Sequence, residues 1–388
     1  MTQRKLRMGM VGGGSTAFIG AIHRLAALMD NQIELVCGCF SSKPEVSLSS
    51  GLSYFLPKER CYASYAEMFE REALLPEGER MDFVSIVTPN KWHFEPAMMA
   101  LERGFHVVLD KPMTFSLEEA HQLKAKVEET GLVFALTHTY SGYPAVKQAR
   151  QMVADGSLGK LRRIYVEYPQ GWLAELEEAR GVTTAKWRTD PALTGKAGCI
   201  GDIGTHAWHL AEYISGQRVT ELCAELSTFV EGRLNDDDGV ALMHFDGGAK
   251  GVLMASQTAT GEENTIKIRL YGEKGGLEWS QWECNTLKVT MHNQPTQIYR
   301  TGSGYMGDLA KWNTRTPGGH PEGYLEAFAN IYRNFSLAVR AMMNGEVPSA
   351  AMLDFPSTED GLRGMQFVET MVASGLDNTN KWTKWIIK

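Results

Sequence analysis

The sequence lacks the paired or dense cysteines that mark a zinc site, a redox motif or a disulfide scaffold. Its six cysteines are scattered over 388 residues, and no two of them have C-x-x-C spacing. No run of eighteen apolar residues occurs, so the sequence predicts no membrane-spanning helix. A short basic stretch leads directly into the first predicted strand and leaves no room for a signal peptide. We therefore expect free thiols, no membrane partner and a cytoplasmic location.

The sequence also has no excess of positive charge. Its formal net charge is -7, and acidic and basic residues are interspersed along the chain. A protein that neutralises many nucleic-acid phosphates needs concentrated positive charge, so we expect a small-molecule partner and no nucleic acid. With 43% hydrophobic and 22% charged residues, the composition is that of an ordinary globular protein. The length favours two domains, one of them interrupted and rejoined by the C-terminus.

The first 140 residues alternate apolar runs with amphipathic helices, which predicts a parallel sheet covered on both faces. Helices are predicted at 94–103 and from Ser116, whose spacing to Glu119 is that of a capping box, to Gly131. We expect a Rossmann-type, doubly wound dinucleotide-binding domain over residues 1–140. Its predicted strands are residues 6–11, 33–40, 83–88, 106–109 and 133–137.

After Tyr143 the alternation ends, and residues 219–299 are mostly strand pattern with Gly-Gly turns. This pattern predicts an α+β domain with a large, mostly antiparallel sheet over residues 141–350, responsible for substrate binding and oligomerisation. Its sheet has one face to cover and few helices to cover it, so we expect a homodimer or homotetramer. Residues 351–388 are expected to form a C-terminal helix and tail that could pack back on the first domain. The other predicted helices are residues 144–154, 203–214, 321–343 and 357–374, and a further strand is residues 161–168.

A glycine-rich segment at residues 12–17, Gly-Gly-Gly-Ser-Thr-Ala, fits the pattern G-x-G-x-x-A. Any turn favours glycine, but this one follows a predicted strand and precedes a predicted helix at 19–28. Backbone amides in such a turn can approach a pyrophosphate closely, because glycine has no Cβ and the helix N-terminus favours an anion. We therefore predict NAD(P) binding, with contacts from Gly12, Gly14, Ser15, Thr16 and Ala17.

The second predicted strand ends with Ser41, Ser42 and Lys43, where NAD enzymes often place an acidic residue that binds the adenosine ribose. No acid stands there. Two hydroxyl groups and a lysine could instead hold a 2′-phosphate, which favours NADP over NAD. The same segment would also serve as an ordinary solvated loop, so both interpretations stay open.

Polar side chains follow two further predicted strands. In doubly wound sheets the carboxyl edge forms the ligand crevice, which gives these side chains a role beyond solubility. Lys111 alone would be an ordinary solvated lysine, but it ends a strand, and Pro112 restricts its backbone. The predicted cofactor contacts at this edge are Thr88, Pro89, Asn90, His93, Asp110 and Lys111.

Three segments, VGGGSTAFIG, VTPNKWHFEPAMMALERGFHVVLDKP and GDIGTHAWHL, occur in the order typical of one enzyme family. The chain resembles the glucose-fructose oxidoreductase and inositol dehydrogenase family (Gfo/Idh/MocA) over essentially its whole length. The resemblance implies that Lys111 lies at the nicotinamide and substrate, as the lysine of the family's E-K-P motif does, although Asp110 replaces the usual Glu. It also implies that Asp202 and His206 match the family's D-x-G-x-H helix, which supplies substrate-binding and proton-transfer groups.

The residues of that helix support the same interpretation. Asp202 is expected as its N-cap, and Asp202, His206 and His209 are spaced to share one face. An isolated histidine is more often a hydrogen-bonded core residue, but this clustering and the resemblance favour a functional one. His209 departs from the family's frequent Asp or Asn. The H-x-x-H spacing has no further obvious ligands, so no metal is predicted.

Three other residues are predicted to contribute to the substrate site. Trp187 and Arg188 resemble a W-R pair often found before the D-x-G-x-H helix, where the cation would lie over a hydroxylated ligand or form a surface ion pair. His320 or Tyr324, at the start of the late helix, is expected at the pocket wall, and Tyr140 is predicted to contact the substrate. With Lys111, Asp202, His206 and His209, these residues form the predicted substrate-binding set.

These residues predict hydride transfer between a nicotinamide and a secondary alcohol or ketone of a sugar, cyclitol or related polyol. His206 would accept the hydroxyl proton, Lys111 would stabilise developing negative charge on the substrate oxygen, and Asp202 would orient a neighbouring hydroxyl. Two alternatives stay open. Transient oxidation followed by elimination would cleave a glycoside without net use of cofactor, and a protein that binds dinucleotide without turnover would act as a regulator.

Overall fold

The computed structural model describes residues 4–387, without the side chain of residue 183, and divides the chain into two compact units. The first unit comprises Met1–Thr139 and Tyr324–Leu362, and the second comprises Tyr140–Gly323 and Arg363–Lys388. The first division lies one residue from the expected boundary. The later ones differ from the expected 141–350 and 351–388, because a late helix belongs to the first unit and the C-terminal tail to the second.

Five parallel strands form the sheet of the first unit, in the order β2-β1-β3-β4-β5. The middle strands are buried on both faces, which explains their continuous apolar runs and confirms the predicted doubly wound sheet. The strands are β1 (Leu6–Gly12), β2 (Ile33–Cys39), β3 (Phe83–Val87), β4 (His106–Leu109) and β5 (Phe134–Leu136). The helices between and beside them are α1 (Phe18–Leu28), α2 (Pro44–Ser53), α3 (Tyr65–Ala73), α4 (Phe94–Glu102) and α5 (Leu117–Thr130).

The ends of α5 show why its bounds could be predicted. The Ser116 hydroxyl accepts from the Glu119 backbone N–H at 3.2 Å, and the Glu119 carboxylate accepts in return from the Ser116 backbone N–H at 3.2 Å. The helix ends at Gly131, whose φ of 65° lies in the left-handed region. Both the capping box and the glycine stop are confirmed.

A nine-stranded sheet organises the second unit, in the order β13-β12-β11-β10-β6-β9-β8-β7-β14, where β14 is the C-terminal strand Trp382–Lys384. Neighbouring strands are antiparallel, as expected, except that β6 and β9 run parallel. The helices of this part are α6 (Pro144–Ala154), α7 (Thr183–Arg188), α8 (Pro191–Thr194), α9 (Thr205–Ser215) and α10 (Asp308–Trp312). The strands are β6 (Leu161–Pro169), β7 (Val219–Ser227), β8 (Asp238–Phe245), β9 (Lys250–Ser256), β10 (Lys267–Gly272), β11 (Gly275–Ser280), β12 (Thr286–Met291) and β13 (Gln297–Arg300).

Burial alternates along β8, which shows that only one face of this sheet is covered within the chain. Ala241 and Met243 are buried, whereas Val240 and Leu242 between them are 39% and 46% exposed. Helices α6 and α9 pack on the sheet. The second unit therefore leaves apolar side chains on the open face of its sheet.

The last elements are α11 (Tyr324–Met343), α12 (Thr358–Leu376) and β14 (Trp382–Lys384). Helix α11 packs against α1 and contributes Phe328, Tyr332 and Phe335 to the core of the first unit. The expectation that the final helix and tail would pack back on that unit is wrong. Residues 363–388, which include most of α12, belong to the second unit, and β14 pairs with β7 at the edge of the second sheet. Among residues 4–387, no helix is both long enough and apolar enough to cross a membrane.

Candidate active site

The glycine-rich turn lies between β1 and α1, as the sequence predicts. Gly12 and Gly13 have φ values of 82° and 73°, and a Cβ on Gly12 would lie 3.1 Å from the Val87 carbonyl oxygen. Ala17 is the N-cap of α1 and provides no side-chain cap, so the first backbone N–H groups of the helix remain available to an anion. Thr16 is exposed beside them.

Further residues support this turn and were not identified from the sequence. The Arg24 guanidinium donates to the Gly13 carbonyl at 2.7 Å, and the Tyr54 hydroxyl donates to the same oxygen at 3.1 Å. The Ser15 backbone N–H donates to the Ser50 hydroxyl at 3.2 Å. The tightest approach is at Gly20, where a Cβ would lie 2.3 Å from the Gly13 Cα. The helix therefore touches the turn at Gly20, one helical turn beyond the small residue of the predicted motif.

The segment after β2 adjoins the glycine turn. A Cβ on Gly14 would lie 3.0 Å from the Phe40 carbonyl oxygen, which precedes Ser41 in the chain. The Ser41 hydroxyl accepts from the Lys43 backbone N–H at 3.2 Å, while Ser42 and Lys43 are exposed. The structure thus places the segment Ser41 to Lys43, which is predicted to contact the adenosine ribose, next to the glycine turn.

His93 joins the segments that follow β3 and β4. Its Nδ1 lies 2.7 Å from the Pro112 carbonyl oxygen and its Nε2 lies 2.7 Å from the Thr88 carbonyl oxygen. Burial lowers the pKa of His93, although both carbonyls and the nearby Asp110 carboxylate favour the charged ring. The Thr88 hydroxyl donates to the Trp92 carbonyl, and Asn90 between them is buried. His93 therefore links the two loops that are predicted to contact the cofactor at the carboxyl ends of β3 and β4.

Asp110 fixes the backbone at the end of β4. One of its carboxylate oxygens, Oδ1, accepts from the Lys111 backbone N–H at 2.9 Å and from the Thr137 hydroxyl at 2.7 Å. Burial alone would raise the pKa of Asp110, but contacts with His23, Lys111 and Thr137 outweigh it and hold that pKa below its usual range. Asp110 is therefore a carboxylate at neutral pH, immediately beside Lys111.

Asp202 was expected as the N-cap of its helix, and that prediction is wrong. It lies inside a π-helix, Ile200–Gly204, which follows an N-cap at Cys199 and continues into α9. The helix begins earlier because the Asp236 carboxylate accepts from the backbone N–H groups of Gly198 at 2.7 Å and Ile200 at 2.8 Å. Burial raises the pKa of Asp236 to about 6. π-helical turns often occur at functional sites.

The Asp202 side chain meets two polar side chains of the second unit. Its carboxylate accepts from Gln257 Nε2 at 2.9 Å and lies 3.5 Å from Arg188 Nε. The Arg188 guanidinium also lies 4.2 Å above the Trp187 ring. Of the two interpretations of Arg188, the structure thus shows an ion pair, and its partner is the predicted site carboxylate.

His206 lies among aromatic side chains of the second unit. It is 9% exposed, and its ring centroid lies 5.0 Å from that of Tyr140 and 6.3 Å from that of Tyr168. The Tyr140 and Tyr168 hydroxyls share a short hydrogen bond, and Tyr168 donates to Asn264 Oδ1 at 2.8 Å. Burial raises the pKa of Tyr140 well above its usual range. The structure thus brings Tyr140 and His206 together, as predicted.

The two remaining predicted residues have other surroundings. His209 is 2% exposed and stacks on Tyr213, with ring centroids 5.9 Å apart. His320 is exposed, and its Nδ1 lies 3.3 Å from the Pro317 carbonyl oxygen of its own turn. Among residues 4–387, no group of three or more His, Cys, Asp or Glu side chains could hold a metal ion.

Polar residues that the sequence did not single out complete this cluster. Gln170 follows β6, Gln257 follows β9 and Asn264 precedes β10, and these three strands are neighbours in the sheet. Because β6 and β9 are parallel and β10 is antiparallel to β6, all three residues lie at one edge. Gln170 hydrogen-bonds Asn264, and the Trp172 indole donates to Gln170 at 2.9 Å. We call Tyr140, Tyr168, Gln170, Arg188, Asp202, His206, Gln257 and Asn264 the polar cluster.

Two family models match the chain, one for each part of it. The model described as "Oxidoreductase family, NAD-binding Rossmann fold" matches residues 6–138, and that of the GFO/IDH/MocA C-terminal domain matches residues 146–278. The chain belongs to the Gfo/Idh/MocA family. It is thus an NAD-binding oxidoreductase, and the resemblance found from its three sequence segments is confirmed.

Relatives of this family match the chain over nearly its whole length. The oxidoreductase YfiI of Bacillus subtilis (strain 168) is 32% identical over 386 residues, which are 99% of this chain and 97% of that protein. An inositol dehydrogenase homolog from Azotobacter vinelandii, solved with NAD+, has a TM-score of 0.93 at 35% identity, with 98% of each chain covered. Its complex with NADH and myo-inositol has a TM-score of 0.89 at 34% identity, with the same coverage.

Proposed function

We propose that the protein is a dehydrogenase that transfers a hydride between a nicotinamide and a secondary hydroxyl or ketone of a sugar, cyclitol or related polyol. The observation that carries this proposal is the polar cluster. It collects amide, phenol, imidazole and carboxylate groups, all of which hydrogen-bond to neutral hydroxyl groups. The likeness to a protein solved with NADH and myo-inositol supports the same class of substrate.

Each predicted catalytic residue has a chemical task in this reaction. His206 accepts the hydroxyl proton as its carbon loses a hydride, which suits a neutral imidazole. Asp202, held by Gln257, binds a neighbouring hydroxyl and orients the ring. Lys111 stabilises negative charge on the substrate oxygen. We also assign substrate contacts to Tyr140 and Arg188 of the polar cluster, and to His209, which stacks on Tyr213, and His320, which lies near a carbonyl of its own turn.

The residues of the first unit fit a dinucleotide. The glycine turn packs so closely on Val87 and Phe40 that a Cβ at Gly12 or Gly14 would lie 3.0 to 3.1 Å from their carbonyl oxygens, and the uncapped start of α1 suits a pyrophosphate. When bound, the nicotinamide supplies the hydride donor or acceptor. We assign cofactor contacts to residues 12 and 14–17 of the turn, and to Thr88, Pro89, Asn90, His93, Asp110 and Lys111 at the sheet edge.

The loop after β2 is where we expect the preference between NAD and NADP to be determined. Ser41, Ser42 and Lys43 offer hydroxyls and a cation and no carboxylate, so we propose that NADP binds at least as well as NAD. Titration of the wild type and the Ser41→Asp variant with both cofactors tests this. The added carboxylate should shift the affinity ratio towards NAD, and an unchanged ratio would mean that the loop does not read the ribose.

A substrate screen tests the proposed reaction. Purified protein would be mixed with cyclitols, aldoses, anhydrosugars and glycosides together with NAD or NADP, and the absorbance of reduced nicotinamide would be followed. We expect one equivalent of reduced cofactor for each oxidised substrate molecule. Glycoside cleavage without net reduced cofactor would replace the proposal with oxidation followed by elimination, and tight binding without turnover would replace it with a regulatory role.

The open face of the second sheet supports an oligomer. Val240, Leu242 and Tyr271 are each at least 39% exposed on its strands, and covering such a face with a second copy removes apolar surface from water. We propose a homodimer or homotetramer formed through this sheet. Light scattering at micromolar concentration tests it, and a monomer would contradict it.

A further inference from the structure

A buried chain of polar side chains lies in the first unit below the end of β4. His23, on α1, is fully buried, and its Nδ1 lies 2.6 Å from the Tyr332 hydroxyl and 3.2 Å from the Ser85 hydroxyl. The two hydroxyls are themselves 2.7 Å apart. The chain thus joins α1, β3 and α11, and none of its three members belongs to the predicted site.

The other nitrogen of His23 is directed at the candidate active site. His23 Nε2 has no hydrogen-bond partner among residues 4–387 and lies 3.8 Å from Asp110 Oδ1. A buried polar atom that makes no hydrogen bond is costly, and the Phe328 ring packs against the imidazole with centroids 4.7 Å apart. An apolar side chain of similar size would avoid the cost of this unsatisfied nitrogen. We therefore look for a function of Nε2 in its orientation towards Asp110.

Asp110 connects this chain to Lys111. The same Oδ1 that faces His23 accepts from the Lys111 backbone N–H and from the Thr137 hydroxyl. Whatever holds this carboxylate therefore also holds the backbone from which the Lys111 side chain extends. Further titratable groups that interact with Asp110 include Lys111 itself, His93 and Tyr332.

We propose that His23 is a positioning residue, which directs an Nε2–H group at Asp110 and through this carboxylate holds the Lys111 backbone. The inference rests on the proposed role of Lys111. In this proposal the Tyr332 hydroxyl, 2.6 Å from Nδ1, is the donor of that hydrogen bond, and the ring proton of His23 is on Nε2. At 3.8 Å the contact with Asp110 is longer than a hydrogen bond, so the N–H dipole acts on the carboxylate through space, where burial limits solvent screening.

Two substitutions of His23 separate the roles of its nitrogens. Gln places an amide nitrogen near the position of Nε2, and Asn places one near Nδ1. We expect His23→Gln to keep kcat within about threefold of the wild type and His23→Asn to lower kcat about tenfold, with KM and dinucleotide affinity unchanged in both. An active Asn variant, or equal losses in both variants, would overturn the proposal, because a purely structural role does not distinguish the two nitrogens.

A measurement without substrate keeps the test independent of the proposed reaction. The ¹⁵N signals of histidine-labelled protein report which ring nitrogen carries the proton, and the His23→Gln spectrum identifies the His23 signals. We expect the Nε2–H form in the wild type and loss of that preference in Tyr332→Phe, which removes the orienting hydroxyl. The Nδ1–H form in the wild type would overturn the inference. Full activity of Lys111→Ala would instead refute the proposed function, so the two failures are distinguishable.

Discussion

The polar groups at the predicted cofactor site of the first unit are held mainly by the backbone, and those of the polar cluster in the second unit are held mainly by other side chains. In the first unit, Arg24 and Tyr54 donate to one carbonyl oxygen, His93 contacts two carbonyls, and Asp110 accepts from a backbone N–H. In the polar cluster, Tyr168 donates to Asn264 and Gln257 donates to Asp202. The protein thus positions its functional groups in two ways, by contacts with the backbone in one site and by contacts between side chains in the other.

This difference matches the two tasks of the sites, because the dinucleotide is the same in every reaction whereas the pattern of substrate hydroxyl groups can differ. A turn shaped by backbone conformation presents amides that suit any dinucleotide, whatever the second substrate is. A cluster of amides and phenols can exchange donors for acceptors by single substitutions, which changes the pattern of hydroxyl groups that it binds. We therefore expect substitutions in the first unit to affect every substrate alike, and substitutions in the polar cluster to affect substrates differently.

Among substitutions in the first unit, the largest effect should come from Lys111→Ala. Loss of an electrostatic contact to the reacting oxygen typically costs roughly 3 to 4 kcal/mol, which lowers kcat/KM by about two to three orders of magnitude. The loss should be similar for every substrate, and the melting temperature should stay nearly unchanged. Lys126→Ala, which removes a partly exposed lysine on α5 that pairs with Glu129, is the control and should keep full activity. A loss of activity confined to one substrate would contradict the expectation that substitutions in the first unit affect every substrate alike.

Gly20→Ala should produce a smaller loss that is specific to the first unit. Alanine normally stabilises a helix by about 1 kcal/mol relative to glycine. Here its Cβ would lie 2.3 Å from the Gly13 Cα, so the helix or the turn must shift. We expect weaker dinucleotide binding in a fluorescence titration and a destabilisation of roughly 1 to 3 kcal/mol in urea.

A matched glycine in the same unit provides the control. A Cβ on Gly78 would meet no atom within 4 Å, so Gly78→Ala should leave dinucleotide affinity unchanged. Equal affinities for the Gly20 and Gly78 variants would show that the close contact of α1 with the turn does not shape the site.

The smallest effect should come from Gln257→Leu. The substitution removes the amide that donates to Asp202 and leaves the carboxylate without that hydrogen bond. A typical hydrogen bond contributes roughly 0.5 to 1.5 kcal/mol, and Asp202 keeps its ion pair with Arg188, so we expect KM to rise about two- to tenfold for substrates with a hydroxyl at this position. Dinucleotide affinity should not change. Equal increases for all substrates would contradict a role in selecting hydroxyl patterns.

The sequence was informative for the first unit because its signals are local. The capping box at Ser116 and the glycine stop at Gly131 are each contained in a few residues, and they bound α5 correctly. Lys111 and Thr88 follow strands of one parallel sheet, whose carboxyl ends meet at a single edge, so their neighbourhood follows from the order of the strands. Gly20 was missed because its contact with the turn depends on how α1 is placed.

The polar cluster depends on contacts between distant segments. Gln170 and Gln257 are adjacent because β6 and β9 are parallel in an otherwise antiparallel sheet, and no local pattern in the sequence indicates this pairing. The role of Asp202 was misjudged for the same reason. The carboxylate that caps its helix is that of Asp236, which lies 34 positions later in the chain.

The pH dependence of kcat/KM for the wild type and His206→Ala tests the central claim most directly. His206 must be neutral to accept the hydroxyl proton, so wild-type activity should fall as the pH is lowered and the imidazole becomes protonated. His206→Ala should lose roughly two to four orders of magnitude, and the acidic limb should disappear from its profile. A variant that keeps most of its activity with that limb intact would contradict the account and would place the base elsewhere, with Tyr140 and Lys111 the next candidates.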